Sequence, residues 1–552
     1  MKNLTRPPIV KQPICILIGL AILINFSGLF DTILGPDGIL YASISKTMAL
    51  NNNFTELFDG HKDWLDKPHF PFWITAFSFK LFGIHTWSYK LPAILFLMMG
   101  ARYTYLLASK LYNHEMALWS VLILLTAQHI VISNNDVRAE PYLTGLLIAA
   151  VYHFYRATQT KINLHLIAGA LFTAGAVMTK GIFILIPIAL AIAGYLLSIK
   201  DYKGLFHFKW LLVAVLVGIF ILPELYCLWY QFDQHPEKIV FNQTHVSGLR
   251  FFFWDSQFGR FFNTGPIKGS GDPLFFFHTL LWAFLPWSIL LYIAFSQMIF
   301  RRKIKQQEWL TVYAAASVFL LFSLSRFQLP HYTNIIFPFF AIITAAYLYR
   351  QLNNNPKYIL IIQLILCCLI IATLFLLHFT YRPGSPNILF LSAFGILVAA
   401  LIWIFRNKAL TPITRWLFTS GITSMLVSIY FNLVFYPSLL TYQSGSEAAF
   451  FCNANYPKLP VYSYASPADY EMELYLQKPL NKIRNKTDFS AISRPALLYL
   501  PADSLNALME QDKPPQLLKQ YDYYPVSRLS LDFLKASERE KSVKKHLLVR
   551  IE

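Results

Sequence analysis

Long apolar runs separated by short polar connections occupy most of the 552-residue chain. An apolar helix needs roughly 17 to 25 residues to cross about 30 Å of hydrocarbon. Runs that approach this length lie near residues 13–32, 89–110, 115–133, 140–158, 164–179, 181–198, 209–231, 274–298, 308–325, 332–350, 357–379, 386–405 and 414–438. The pattern predicts an α-helical polytopic membrane protein with about thirteen transmembrane helices.

One pair of runs, 164–179 and 181–198, is short and is divided at Lys180-Gly181. Two interpretations stay open, because the pair could form two short spans or a re-entrant hairpin. Both leave the remaining loops on the same sides of the membrane.

Composition supports the membrane class. Hydrophobic residues make up 56% of the chain, charged residues 14%, and the mean hydropathy is +0.45. One soluble core could not bury that much apolar length. The net charge of +18 could suggest nucleic acid, but the basic residues form short clusters between apolar runs. They are expected to mark the cytoplasmic face instead, and no nucleic-acid partner is predicted.

The basic clusters fall on alternate connections, which predicts a cytoplasmic N-terminus. They comprise Lys2, Arg6, Lys11, Arg156, Lys161, Lys200, Lys203, Lys209, Arg301, Arg302, Lys303, Lys305, Arg406, Lys408 and Arg415. The loops 33–88 and 232–273, the turns 134–140 and 325–331, and the chain after about 439 then lie outside the cytoplasm. The predicted location is the plasma (inner) membrane.

The first apolar run has a basic flank but no small-x-small cleavage site before Asp31, so it is interpreted as an uncleaved signal anchor. Cysteines at 15, 227, 367 and 368 lie inside predicted spans, and only Cys452 lies outside them. This distribution predicts no disulfide framework and no CxxC metal site.

The tail, 439–552, lacks long apolar runs and is predicted to be a small extracytoplasmic α/β domain beside a membrane domain at 1–438. Its β-like stretches are 459–464, 496–500 and 546–551, and its helix-compatible segments are 467–477 and 503–519. A structural or acceptor-docking role is favoured over an active site.

Polar residues in the first outer loop are candidates for chemistry. Asp37 precedes a segment, Ser43 to Asn51, that can form an interfacial helix, so its carboxylate could cap that helix or take part in a site. Asp66-Lys67-Pro68 leads into aromatic residues typical of a membrane surface. The Lys67 charge would meet phosphate there rather than hydrocarbon.

Three further places carry charge at the same face. The turn from Asn134 to Glu140 contains Asp136 and Arg138 as well as Glu140, and a site is favoured over a merely hydrated turn. Arg326 and Tyr332 could bind phosphate at the outer end of a span. The 232–273 loop adds His235, Glu237, His245, Asp255, Arg260 and Lys268. No histidine there has a second ligand at i+3 or i+4, so metal binding is a weak interpretation.

The order of these motifs carries a resemblance. It runs from Asp-x3-Tyr-Ala at Asp37 through acid-Lys-Pro at 66–68, the acidic turn, and the stretch from Ser325 to Tyr332 followed by Pro338-Phe-Phe-Ala341. Residues 10–440 resemble the membrane glycosyltransferases of the GT-C fold, the protein O-mannosyltransferase superfamily, which use polyprenyl-phosphate sugars. Within it the chain is most similar to lipid A aminoarabinose transferases.

The resemblance implies roles for individual residues. Asp37 matches the proposed base or acceptor-orienting carboxylate, Lys67 the lysine on the donor phosphate, and Tyr332 a tyrosine on the lipid phosphate. The second carboxylate is Glu140 or Asp136, with Glu140 slightly favoured.

Asp66 takes the place of an acidic metal ligand in the aminoarabinose enzymes. The histidine expected before Pro273 is replaced by Lys268-Gly-Ser-Gly-Asp272, so the resemblance leaves open whether a divalent metal ion binds. No other cofactor is implied.

The chemistry is consistent with these residue types. Lys67, with Arg138, Arg260 or Arg326, would stabilise charge on a phosphate leaving group, while Asp37 deprotonates the acceptor and the sugar inverts. The predicted enzyme transfers a hexosyl or pentosyl group to an extracytoplasmic glycolipid such as lipid A, to a glycan or to a protein. The alternative is a transporter or flippase of lipid-linked substrates, which would carry charges near mid-span.

Overall fold

The chain is mostly helical in this computed structural model, which describes residues 11–60, 62–159, 163–301, 306–352, 357–483, 485, 488–489, 492–507 and 515–552. Its α-helices are α1 Lys11–Phe26, α2 Pro36–Asn51, α3 Phe70–Phe82, α4 Thr86–Leu111, α5 His114–Leu125, α6 Gln128–Asn135, α7 Glu140–Thr158, α8 Leu164–Lys180, α9 Leu185–Ser198, α10 Tyr202–Leu205, α11 Lys209–Phe220, α12 Leu222–Leu228, α13 Gly248–Arg250, α14 Arg260–Phe262, α15 Phe275–Ala283, α16 Ser288–Arg301, α17 Trp309–Leu324, α18 Phe337–Gln351, α19 Lys357–Tyr381, α20 Ile388–Arg406, α21 Pro412–Tyr430, α22 Tyr436–Leu440, α23 Ser444–Asn455, α24 Asp469–Tyr475, α25 Leu531–Leu534 and α26 Arg539–Ser542.

Tighter and wider helical turns connect several of these helices. The 3-10 turns are Ile182–Ile184, Gln306–Glu308, Pro330–Ile336 and Ala502–Ala507, and the π-helical segments are Trp229–Asp233, Phe251–Gly259 and Phe431–Phe435. The strands are β1 Phe58–Asp59, β2 Lys62–Asp63, β3 Val461–Tyr464, β4 Leu480–Ile483, β5 Ala496–Pro501, β6 Gln516–Tyr523 and β7 Lys544–Ile551.

The predicted apolar runs are helical. Within the described residues, seven helical stretches are long and apolar enough to cross a membrane: Thr86–Leu111, Tyr202–Phe220, Gln306–Leu324, Pro330–Gln351, Lys357–Tyr381, Ile388–Arg406 and Pro412–Leu440. An eighth arises if α5 and α6, bent by 49°, count as one span. The prediction of a multi-pass membrane protein is confirmed. The count of thirteen stays a prediction, because the other runs form shorter or broken helices.

The division at Lys180-Gly181 is real. Helix α8 ends at Lys180, and Gly181 has a φ of 106°, a conformation that side-chain-bearing residues rarely adopt. The chain then restarts as a 3-10 turn at Ile182. This break leaves the Lys180 side chain at a helix end instead of in the middle of a span.

Helix α7 is the central element of the helical region and is buried along almost all of its length, between α4 and α8. The close crossing with α4 depends on Gly145, since a Cβ there would overlap the carbonyl oxygen of Phe96. Because α7 begins at Glu140, its packing fixes the position of that carboxylate.

The tail contains a five-stranded sheet in the order β4-β3-β5-β7-β6. Strand β3 is parallel to β4 and β5, whereas β7 is antiparallel to β5 and β6. The predicted β-like stretches correspond to β3, β5 and β7. The helix prediction at 503–519 is wrong at its end, where residues 516–519 belong to β6. This strand pairs with β7, and that pairing outweighs the local preference; residues 508–514 of the same prediction lie outside the described chain.

The tail also contacts the loop 33–88. The Lys46 ammonium of α2 donates to the carbonyl oxygens of Glu473, Leu474 and Leu476 at 2.7, 3.0 and 2.6 Å, at the carboxyl end of α24. The amide of Ile33 donates to the Tyr475 hydroxyl at 3.0 Å. These bonds hold the start of the first loop and α2 against the tail. The domain boundary at 438/439 stays a prediction.

The sidedness of the membrane also stays a prediction. Several of the basic residues on which it depends, Lys2, Arg6, Lys161, Arg302, Lys303 and Lys305, lie outside the described residues.

Candidate active site

A cavity of about 290 Å³ opens where the first outer loop, the 138–140 turn, the end of α8 and the 241–267 segment meet. Its charged lining consists of Asp37, Asp66, Lys67, Arg138, Glu140, Lys180 and Arg260, together with His331 and Tyr332. Four cations therefore face three carboxylates. With Asp136, which also pairs with Arg138, the cluster is balanced in charge, and its four cations can contact an anionic ligand.

Asp37 lies in the first turn of α2, where the helix dipole favours a carboxylate. It does not cap the helix: Gly35 is the N-cap, and no side chain bonds to the cap. Its Oδ2 instead accepts a hydrogen bond of 2.7 Å from Arg138 Nη1, and the side chain is 48% exposed. Among the described residues, no hydrogen-bond donor contacts Oδ1. Asp37 is therefore positioned on one side and accessible on the other.

Arg138 joins two carboxylates. Besides Asp37, it donates from Nε and Nη2 to Asp136 Oδ2 at 3.0 and 2.7 Å. Burial alone would lower the pKa of Arg138, but Asp136 and Asp37 outweigh it and raise the pKa above its usual value. Arg138 was predicted to bind the donor phosphate. Arg138 lines the cavity while binding Asp37 and Asp136, and its contact with a phosphate stays a prediction.

The α2 start and the 136–138 turn approach so closely that glycine is required. A Cβ on Gly38 would lie 2.8 Å from Asp136 Oδ1 and 3.1 Å from the carbonyl oxygen of Val137. This close approach brings Asp37 and Asp136, which are far apart in sequence, to the same arginine, Arg138.

Asp66, Lys67 and Arg260 form a second charged cluster, which is called the phosphate clamp after the role predicted for Lys67 and Arg260. Lys67 Nζ donates to Asp66 Oδ2 at 2.6 Å, and Arg260 Nη2 donates to Asp66 Oδ1. Burial alone would raise the pKa of Asp66, but Lys67 and Arg260 hold it below its usual value. Burial lowers the pKa of Lys67, with Asp66 opposing the shift. The predicted Lys67 and Arg260 are thus brought together from loops 33–88 and 232–273.

Glu140 is 3% exposed and ion-paired with Lys180, whose ammonium also lies 3.5 Å from the ring centroid of Tyr332. His331 Nε2 lies 3.8 Å from the same carboxylate oxygen, Oε1. Lys180 and His331 were not predicted as site residues. The signal for Lys180 was a lysine inside an apolar stretch, which marks a functional position by default.

The second carboxylate can now be compared between its two candidates. Glu140 lines the same cavity as Asp37 and Lys67, whereas Asp136 lies behind Arg138 and is absent from that lining. Of the two candidates, Glu140 is the one that lines this cavity, and its catalytic role stays a prediction.

Aromatic residues form one wall of the cavity and connect its two acidic segments. Tyr41 packs edge-on against Trp64 and Phe72, with ring centroids 5.9 and 5.5 Å apart, and Trp64 meets Phe72 at 5.2 Å. Each such pair contributes about 0.5 to 1.5 kcal/mol beyond area burial. The cluster ties the segment carrying Asp66 and Lys67 to the helix carrying Asp37.

Arg326 is placed differently from the other predicted residues. It is exposed, and it is not among the residues that line the cavity, although the neighbouring Phe327 is. Tyr332, by contrast, is buried in the cavity wall, and its contact with a lipid phosphate stays a prediction.

The residues around Asp66 do not fit a divalent metal site. Both of its carboxylate oxygens are engaged by cations. Across the described residues, no group of three or more His, Cys, Asp or Glu side chains is arranged to hold a metal ion. Two cationic partners would also repel a metal ion.

Comparisons with known proteins agree with the resemblance inferred from the motifs. A family model described as dolichyl-phosphate-mannose-protein mannosyltransferase matches residues 66–227. The chain is 25% identical over 330 residues to the undecaprenyl phosphate-alpha-4-amino-4-deoxy-L-arabinose arabinosyl transferase of Edwardsiella ictaluri, covering 58% of this chain and 56% of that protein. The corresponding protein of Wigglesworthia glossinidia brevipalpis is 25% identical over 394 residues, covering 67% and 66%. The chain thus spans little more than half of the Edwardsiella protein.

Solved structures establish the fold. The crystal structure of ArnT from Cupriavidus metallidurans bound to undecaprenyl phosphate matches with a TM-score of 0.69 at 17% identity, covering 97% of both chains. The apo structure of the same protein matches with a TM-score of 0.68 at 16% identity and the same coverage. The chain has the fold of ArnT, and the predicted GT-C fold is confirmed.

Proposed function

We propose that this protein is an integral membrane glycosyltransferase that transfers a sugar from a polyprenyl-phosphate donor to an extracytoplasmic acceptor with inversion. The observation that carries the proposal is the cavity in which the phosphate clamp faces Asp37 and Glu140 in an ArnT-like fold. The names of the relatives, arabinosyl transferases acting on an undecaprenyl phosphate sugar, support the donor class.

The donor phosphate would lie against Lys67 and Arg260. Both are largely buried, and Arg260 Nε is a buried donor with no acceptor among the described residues. A phosphate oxygen would satisfy this donor. Cations placed at a leaving phosphate stabilise the charge that develops as the glycosidic bond breaks. Tyr332 could donate its hydroxyl to the same group.

Asp37 would act as the base. It is held by Arg138 through Oδ2, and its half-exposed carboxylate can accept the proton of an acceptor hydroxyl. As that oxygen forms a bond to the anomeric carbon, the bond to phosphate breaks and the phosphate leaves with the electron pair. Attack from the side opposite the leaving group inverts the anomeric carbon. Glu140 would orient Lys180 beside the donor.

The proposed topology completes this assignment. It has about thirteen spans in the plasma (inner) membrane, a cytoplasmic N-terminus, and the catalytic loops and the tail outside the cytoplasm. Acceptors of this class include a lipid A-like glycolipid, a glycan or a protein, and the transferred group is a hexosyl or pentosyl unit.

The test uses purified full-length protein and an undecaprenyl-phosphate-linked aminoarabinose donor with lipid A as acceptor. Asp37→Asn and Lys67→Ala are expected to lower transfer by at least about 10²-fold while the protein still accumulates. Asp522→Asn and Lys545→Ala are matched controls, because these residues form an exposed ion pair in the tail. Retained transfer in both site variants would contradict the proposal. Flipping without transfer would favour the transporter alternative.

A further inference from the structure

A buried histidine–glutamate pair lies directly behind the phosphate clamp. His69, two residues after Lys67, and Glu224 of α12 are both fully buried, at 0% exposure. Glu224 Oε1 lies 3.0 Å from His69 Nδ1, and Oε2 accepts the His69 backbone amide at 2.9 Å. Both oxygens of one carboxylate thus bind one residue, which fixes its position and its orientation.

The other side of the imidazole is also engaged. His69 Nε2 lies 3.2 Å from the carbonyl oxygen of Thr55. A carbonyl can only accept, so Nε2 donates there, and one proton lies between Nδ1 and Glu224 Oε1. Both ring nitrogens are therefore engaged, which fixes the plane of the imidazole as well as its position.

The pair belongs to a longer contact between the two outer loops. Seven residues after Glu224, Gln231 accepts the Leu57 amide at 2.9 Å and donates to the Leu57 carbonyl at 2.9 Å. Lys238 then pairs with Glu56 and Asp63 at 3.0 and 2.9 Å. The segment 224–238 therefore binds the first loop at several points, upstream of Arg260.

This arrangement matters for the clamp because Lys67 and Arg260 come from different loops. Glu224 itself lines a small pocket together with Asp66, Lys67 and Arg260. The contacts between residue 69 and α12 also fix residues 66–68, the segment that carries Lys67. Arg260 approaches Asp66 at this segment. A misplacement of about 1 Å can cost about 10²-fold in rate.

We propose that His69 and Glu224 are positioning residues that align the phosphate clamp for a polyprenyl phosphate. The inference rests on the proposed function and deepens it. Neither side chain needs to touch the donor. They act by fixing the positions of Lys67 and Asp66.

The experiment measures binding of undecaprenyl phosphate to the purified, monodisperse full-length protein in detergent. His69→Ala and Glu224→Ala are expected to weaken binding by about tenfold to a hundredfold. Their double variant should bind no more weakly than the worse single variant, because the two residues act as one unit.

A matched amide pair separates positioning from folding. Asparagine places its Nδ2 where the imidazole Nδ1 lies, so His69→Asn is expected to bind within about threefold of the wild type. Glutamine carries the same amide one methylene further, so His69→Gln is expected to weaken binding like His69→Ala. Glu237→Ala and His235→Ala break an exposed His–Glu contact of 3.0 Å in the same loop and should change nothing.

Three results would overturn the inference. The first is wild-type affinity in His69→Ala and Glu224→Ala combined with lost binding in Lys67→Ala. That result would overturn the positioning role but leave the proposed function standing. Equal losses in His69→Asn and His69→Gln would show that donor placement is irrelevant, and these two variants decide the question if His69→Ala does not accumulate. A wild-type protein that does not bind undecaprenyl phosphate would remove both the proposed function and this inference.

Discussion

Replacing Lys180 with methionine removes one charge from the most deeply buried ion pair of the cavity. Methionine keeps a long unbranched side chain but cannot pair with Glu140, which is 3% exposed. The nearest remaining partner would be His331, whose Nε2 lies 3.8 Å from the Glu140 carboxylate. The contact between the Lys180 ammonium and the Tyr332 ring, at 3.5 Å, would also be lost.

The magnitude follows from the burial of the pair. Two unit charges about 4 Å apart attract by about 4 kcal/mol at an effective dielectric of about 20. Removing one partner of a buried pair typically costs about 3 to 5 kcal/mol, because the other charge stays buried and uncompensated. We therefore expect Lys180→Met to lower the free energy of unfolding by about 3 to 5 kcal/mol. Replacing both members, in Lys180→Met with Glu140→Gln, should recover most of that loss.

The assay is a double-mutant cycle on purified protein, with unfolding followed in mixed micelles over an SDS titration and transfer measured in parallel. Stability and transfer should separate. The double variant is expected to regain stability while transfer stays low, because the cavity still lacks the Lys180 charge. A coupling energy of about 2 kcal/mol or more would indicate that the two residues act as a pair.

Additive effects would refute this reasoning. If the two single losses sum to the loss of the double variant within about 0.5 kcal/mol, Lys180 and Glu140 do not depend on each other for stability. Normal transfer by a stable double variant would show that the Lys180 charge does not assist the donor.

Three further outcomes are expected. Burial lowers the pKa of Lys67, and phosphate binds the charged lysine, so affinity for undecaprenyl phosphate should be full at neutral pH. At alkaline pH the affinity should fall, with a midpoint below the usual lysine pKa of about 10.4. In Lys67→Arg this loss should move to higher pH, and an unchanged profile would contradict the assignment. Arg260→Ala should lower kcat/KM for the donor by about 10²-fold and Arg326→Ala by less than about threefold, since only Arg260 lines the cavity; equal losses would place Arg326 in the site. EDTA should leave transfer unchanged because cations occupy both oxygens of Asp66, and a loss restored by zinc would count against this.

The position of Asp37 illustrates what could be foreseen. Its place behind the first apolar run and before Tyr41-Ala42 indicated a site, but helix capping remained an equally valid interpretation. The structure excludes capping and shows a bond from Arg138, in a turn about a hundred residues away that Gly38 allows to approach. Local sequence does not show that two segments so far apart in the chain are in contact.

Lys180 and Glu224 show the opposite case, in which the residue was visible but its role was not. Both are ionisable groups in apolar stretches, which is a functional signal in itself. Their partners, Glu140 and His69, come from other parts of the chain. No periodicity predicts those pairings, since they arise from the packing of α7, α8 and α12 around the first loop.

By itself the sequence determined the helical membrane class, the break at Gly181, three of the five tail strands and the two segments that carry Asp37 and Lys67. These follow from hydrophobic length, glycine conformation and strand composition, which are local properties of the chain. Only the tertiary structure decided that Arg138 binds Asp37, that Arg260 joins Asp66 and Lys67 and that Arg326 stays outside the cavity. The reason is that ion pairs depend on distance and burial, which chain folding sets between segments remote in sequence.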